Sequence, residues 1–155
     1  PLQLARATAT LANRGRIVTP FLVDKIVSTT DTQPGPEIHK DVIALNQKNV
    51  NSIFNAMINV VHSNRGTAHD LKKDFNYQMA GKTGTAQVKG IKQNAEYDEN
   101  SIPLKFRDHA LFIAFAPADA PRIAVAVIAE NGGHGGSVAA PIAAKVIKQY
   151  LEENP

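Results

Sequence analysis

The stretch Met79-Ala80-Gly81-Lys82-Thr83-Gly84-Thr85-Ala86-Gln87-Val88 carries the densest chemistry in the chain. Gly81-Lys82-Thr83 has the ending of a loop that wraps phosphate in backbone N–H groups. Such a loop needs a further glycine five positions before Gly81. Asn76 stands there instead, Gly84 would fall in the first turn of the required helix, and Thr85 to Val88 has the look of a strand. The nucleotide pattern fails. The other chemistry is acyl transfer on a strand. Lys82 then sets a positive charge beside an anionic substrate group, and Gly84 lets a ligand lie close to the backbone. Thr83 and Thr85 offer hydroxyl donors, and the Thr85 amide faces a developing oxyanion. A lysine on a strand is otherwise an ordinary exposed residue, so the surroundings must decide.

Residues 2–13 repeat Leu and Ala on nearly every side, the pattern of a buried helix, with Gly15 as its stop. Ile17 to Ser28 is rich in β-branched and aromatic residues and reads as one or two strands, and Asp31 to Pro36 as a turn. Asn46 is placed to cap a second helix, whose Val50, Ile53, Phe54, Met57, Val60 and Val61 fall at helical spacing. Asn51, Asn55 and Asn59 keep another face wet, and Asn64-Arg65-Gly66 ends the helix.

Three strands are expected next, at Gln78 to Val88, His109 to Ala116 and Arg122 to Glu130. The last two are apolar on both faces and are joined by Pro117-Ala118-Asp119-Ala120-Pro121, a link suited to a hairpin. Strands of that kind need cover on both sides. A final helix from Ser137 to about Leu151, with Ile142, Val146, Ile147, Tyr150 and Leu151 inward, helps to supply it. The expected fold class is α+β, an antiparallel sheet packed between helices. The polar connection from Lys89 to Asp108 either borders a groove or is a plain crossover.

Lys-Thr-Gly is one of the motifs shared by penicillin-binding proteins and serine β-lactamases. The chain resembles the C-terminal part of a class B penicillin-binding transpeptidase domain, over essentially its whole length. Pro1-Leu2-Gln3-Leu4-Ala5, Asn13-Arg14-Gly15 with Pro20, and Gly81-Lys82-Thr83-Gly84-Thr85-Ala86-Gln87 carry the likeness. Gly90-Ile91-Lys92, Arg107-Asp108-His109, Ala114-Phe115-Ala116-Pro117 and Glu130-Asn131-Gly132-Gly133 are similar to the elongation-type members.

The resemblance implies the transpeptidase fold and a serine acyl-transferase. That enzyme cross-links peptidoglycan stem peptides through an acyl-enzyme and is acylated by β-lactams. It makes Lys82 part of the proton and charge network, and Thr83, Gly84 and Thr85 the binding strand for a terminal carboxylate. The Thr85 amide becomes half of the oxyanion hole. The implied parent is anchored in the bacterial inner membrane with this domain in the periplasm. Its implied partners are the membrane glycan polymerase and other proteins of the elongation complex. No cofactor or metal is implied.

One departure is decisive. None of Ser28, Ser52, Ser63, Ser101 and Ser137 has Lys three residues on or Asn two residues on. Covalent catalysis requires a nucleophile with its base in reach. Both are expected before Pro1 in a longer parent, so residues 1–155 alone are expected to be inert, shortened by design or by proteolysis. The alternatives are a piece of a β-lactamase or DD-carboxypeptidase, or of a non-catalytic penicillin-recognising sensor.

A net charge of +3 from scattered Lys and Arg makes no nucleic-acid stripe. The absence of cysteine excludes disulfides, thiolate metal sites and a thiol nucleophile. His39, His62, His69, His109 and His134 lack the close paired spacing of a zinc site. Asp108-His109 is expected to anchor a loop rather than act as a base. His134, among glycines before a helix, either sits near an anion or simply accompanies tight turns.

Overall fold

The computed structural model describes residues 1–35, 41–73, 75–90 and 102–155. His39, Pro36, the Ile91-Lys92 pair and most of the connection between Lys89 and Asp108 lie outside the described residues.

The centre is a three-stranded antiparallel sheet in the order β3 (Ala80–Ala86), β4 (His109–Ala116), β5 (Ile123–Ala129). These are the three expected strands, with β3 and β5 slightly shortened. Side chains alternate across a strand, and the middle strand uses both faces. Ala110, Phe112, Ala114 and Ala116 join one core with helix α3 (Ala140–Glu153). Phe115 joins the other, with Ala12 of α1 (Leu2–Ala12) and Val50, Phe54 and Met57 of α2 (Gln47–His62). The Phe54 and Phe115 rings meet tilted, with centroids 4.8 Å apart. The α+β layering expected from the two-faced strands is therefore what forms.

Helix α2 starts where its cap places it. Asn46 Oδ1 accepts the N–H groups of Lys48 and Asn49 at 3.0 and 3.3 Å, serving donors that have no helical partner. Val50, Phe54, Met57 and Val61 are its buried stripe, while Ile53 lies off the stripe and is exposed.

Helix α3 corrects the expected core face. Its buried residues are Ala140, Ala143, Ala144 and Ile147, whereas Ile142, Val146 and Tyr150 stay exposed. The sheet already presents Phe112 and Val125 to this core, so the helix must offer small residues to approach it. Volume, not hydrophobicity alone, chose the face. A π-helical turn, Gly135–Ala139, leads into the helix and absorbs the expected start at Ser137.

Helix α1 is also less covered than its composition suggested. It buries Thr8 and Ala12 and leaves Leu2 at 60% exposure, because only one side meets β4 and β5. Ahead of α2, the one or two strands expected over Ile17 to Ser28 reduce to β1 (Lys25–Val27), which pairs with β2 (Thr32–Pro34) inside the stretch expected as a turn, and Arg16 makes only an isolated bridge to Val42. The turn falls earlier than the proline-rich stretch suggested. Ser28 Oγ accepts the Thr30 and Asp31 amides, and the Ser28 N–H reaches Asp31 O at 2.8 Å. A hydroxyl bonding nearby amides nucleates a turn by itself.

Candidate active site

Strand β3 pairs with β4 along one edge, and no strand pairs its other edge among the described residues. The register sets Thr83 opposite Phe112 and Thr85 opposite Ala110, on the face that meets α3. Lys82 and Gly84 point to the opposite face, opposite Ile113 and Leu111. Thr83 and Thr85 line a cavity of about 370 Å³, closed on other sides by Thr67, His69 and Asp70 and by His134 to Ser137. The strand thus brings the two threonines together and sends the lysine over the edge. Lys82 is exposed, and its Nζ donates to the Thr83 carbonyl at 2.6 Å.

Glycines set the spacing of these walls. A Cβ on Gly81 would lie 2.4 Å from Phe112 Cζ, so this residue seats the ring beneath β3. A Cβ on Gly135 would meet Leu111 O at 2.3 Å and Gly84 O at 2.5 Å; one on Gly136 would meet Thr67 O at 2.2 Å. The π-helical turn therefore rests directly on the backbone of the β3–β4 pair and of residue 67. Gly84 is roomier, with only Leu111 Cβ near, at 3.2 Å.

Beyond β3 the chain is pinned by Asp108, a buried carboxylate. Its Oδ1 accepts the Val88 N–H at 3.2 Å, and its carbonyl accepts the Gly133 N–H at 2.9 Å. His109 Nδ1 accepts the Asn131 N–H at 2.9 Å, and Asn131 Nδ2 donates to Arg107 O at 2.9 Å. Asn131 holds a left-handed backbone, φ 55°, a conformation that asparagine tolerates. Asp108 and His109 thus tie together the exits of β3 and β5, as loop anchors do.

Before β3, His62 does a similar task. Its Nε2 accepts the Met79 N–H at 3.0 Å, and burial holds its pKa below the ordinary 6.5. A proton on that nitrogen would displace the bond. Because the folded value is the lower one, the unfolded chain takes up the proton first as pH falls. The stability contributed is whole above about pH 6.5 and is lost as pH drops through the folded value. Unfolding midpoints of the full-length protein, followed from about pH 7.5 to 5, should fall more steeply for wild type than for His62→Gln, which accepts the same bond without titrating. Equal slopes would remove His62 from the account.

Several cavity residues had no chemical reading in the sequence. Thr67 lies just past the helix stop Asn64-Arg65-Gly66, where the sequence gives it no role, while Ser137 reads as a helix start and, lacking Ser-x-x-Lys, is excluded as the nucleophile. Thr67 Oγ1 lies 2.9 Å from Thr83 Oγ1. His69 Nδ1 is 2.8 Å from Gly66 O, and its Nε2 is 3.3 Å from Asp70 Oδ1. Ser137 is the one serine on the cavity wall, and its hydroxyl donates to His134 O at 3.3 Å rather than to a base. Among the described residues, no group of His, Asp and Glu is arranged to hold a metal ion.

The chain matches known proteins along nearly its whole length. The penicillin binding protein transpeptidase domain family matches residues 1–148. The chain is 39% identical over 154 residues to the peptidoglycan D,D-transpeptidase MrdA of Haemophilus influenzae, covering 99% of the chain and 24% of that protein. It is 42% identical over 167 residues to MrdA of Acinetobacter baumannii, covering 100% of the chain and 23% of that protein. It spans about a quarter of the length of these relatives. Penicillin-binding protein 2 of Pseudomonas aeruginosa, solved with WCK 5153, superposes with a TM-score of 0.75 at 39% identity, over 97% of this chain and 29% of that one. The imipenem acyl-enzyme of penicillin-binding protein A from Mycobacterium tuberculosis gives 0.72 at 30% identity, over 97% and 30%. With its two-faced sheet, its Lys-Thr-Gly strand and this match along nearly its whole length, the chain belongs to the penicillin-binding protein transpeptidase domain family.

Proposed function

We propose that residues 1–155 are the C-terminal portion of the catalytic domain of a serine D,D-transpeptidase of the MrdA type. The whole protein cross-links peptidoglycan stem peptides and is acylated by β-lactams. One observation carries the reading: the edge of β3 that no strand pairs among the described residues holds Lys82, Thr83, Gly84 and Thr85 beside an open cavity. The Thr83 carbonyl, reached by Lys82 Nζ, lies on that edge. Backbone groups alternate sides along a strand, so two residues later Thr85 turns its N–H to the same edge. An extended peptide laid against the edge gains main-chain hydrogen bonds, with its terminal carboxylate at the Thr83 and Thr85 hydroxyls. The reacting carbonyl then faces the Thr85 N–H, where negative charge develops, and Lys82 supplies fixed positive charge along the same line.

The attacking serine and its lysine belong to polypeptide outside this sequence, since no Ser-x-x-Lys occurs within it. In the whole protein this domain works in the periplasm, next to the glycan polymerase and elongation proteins of the inner membrane. Among the described residues no helix is long and apolar enough to cross a membrane, so the anchor is assigned to other polypeptide.

Intact-mass measurement with a penicillin tests the assignment. The full-length protein should gain one drug adduct, and residues 1–155 alone should gain none. Stoichiometric acylation of the isolated segment would overturn the placement of the nucleophile. Failure of the full-length protein to react would overturn the function.

A further inference from the structure

The contact between Thr67 and Thr83 links the strand to a segment that no motif marks. Their hydroxyl oxygens are 2.9 Å apart, and both residues line the cavity. Each hydroxyl has a single proton to give and lone pairs to accept with. One O–H is consumed between them, and one remains for a ligand.

Thr67 is held in place by its neighbours. On one side, the Ala68 N–H donates to Val60 O of α2 at 3.0 Å, and the Gly66 N–H donates to Ser63 O at 2.9 Å. Gly66 lies so close to α2 that a Cβ there would meet Val60 O at 2.2 Å. On the other side, the Thr67 carbonyl sits against Gly136 of the π-helical turn. The end of α2, the strand and the turn thus meet at this residue.

Resting on the reading of β3 given above, we propose that Thr67 is a positioning residue for carboxylate recognition. It donates its proton to Thr83 Oγ1, which leaves the Thr83 proton directed into the cavity beside the Thr85 hydroxyl. A hydroxyl that accepts one hydrogen bond donates the next more strongly, so Thr67 both aims and sharpens the Thr83 donor. Its effect therefore falls on ligands that bring an anion to this place, and spares those that do not.

Penicillin G and its methyl ester separate these cases, because the ester lacks the anion. In the full-length protein, the ratio of acylation rate constants, acid over ester, should fall about tenfold in Thr67→Val, the size of one hydrogen bond to a charged group. Thr67→Ser should restore the ratio. In a Thr83→Val background, adding Thr67→Val should change the ratio no further, since its target is gone. A merely structural role would slow acid and ester alike and leave the ratio unchanged, which overturns the proposal. So would a Thr67→Ser variant as impaired as Thr67→Val. If Thr67→Val does not fold, Thr67→Ala with Thr67→Ser is read by the same ratio. A wild-type protein that reacts with neither compound refutes the transpeptidase reading, and is thereby distinguished from a failure of Thr67 alone.

Discussion

Full-length protein carrying Lys82→Met should be acylated by a penicillin about two to three orders of magnitude more slowly than wild type, the loss typical of deleting one preorganised charge-stabilising group. Methionine nearly keeps the length and the apolar stem, so packing is preserved while the charge goes. Lys82 is exposed and sits at the strand's free edge, with its ammonium held by the Thr83 carbonyl. It contributes little to the cores, which are built from other residues. The melting transition should therefore stay within about a degree of wild type, as for most surface changes. Lys82→Arg should recover only part of the rate, because a planar fork does not reproduce a compact ammonium. Time courses with a labelled penicillin decide the matter. A loss smaller than about fivefold would take Lys82 out of the reaction, since it would fall below a single ordinary charged contact.

Gly135→Ala is expected to damage stability and reaction together. The added methyl would sit 2.3 Å from Leu111 O and 2.5 Å from Gly84 O. Both obstacles are backbone of the central strand pair, with no flexible side-chain end to swing aside. The π-helical turn must lift away from β3, which opens the cavity wall that holds His134 and Ser137. Overpacking of this kind costs about 3 kcal/mol at its upper end, which should lower the melting temperature of the full-length protein's catalytic domain by several degrees. Acylation should slow as well, because the wall no longer faces Thr83 and Thr85. Gly90→Ala is the matched control, for a Cβ there meets nothing within 4 Å. Thermal unfolding of the two variants should differ plainly. Equal melting temperatures would mean that the turn yields at no cost, and that Gly135 does not set the wall.

The sheet was legible because its residues satisfy one local rule. His109 to Ala116 is a short, aromatic-rich run apolar on both sides and bounded by a Pro-containing link, the pattern of a strand between two covers. Asn46 was equally readable, since its side chain and the helix it starts are adjacent in sequence. The inward face of α3 was not. Ile142 and Val146 look more like core than Ala143 and Ala144, and only the bulk of Phe112 across the gap reverses that preference. The hairpin before α2 misled for another reason: Pro34-Gly35-Pro36 advertises a turn, but the Ser28 hydroxyl had already made one.

The site divides along the same line. Lys82, Thr83, Gly84 and Thr85 stand together in the sequence and could be read as a group. Thr67 and Ser137 reach Thr83 and its cavity through separations that no local pattern records. Gly81 was read with the chemistry, yet its first duty is to the Phe112 ring.

The alternation along β3 has a consequence for selectivity. Hydroxyls project from one face of the ribbon, while the lysine stem leaves from the other and brings its ammonium back to the Thr83 carbonyl at the rim. A ligand gripped by both is held from two sides of the ribbon at once, which fixes its roll about the rim as well as its position, and a ligand with only one of the two matching groups forgoes that constraint.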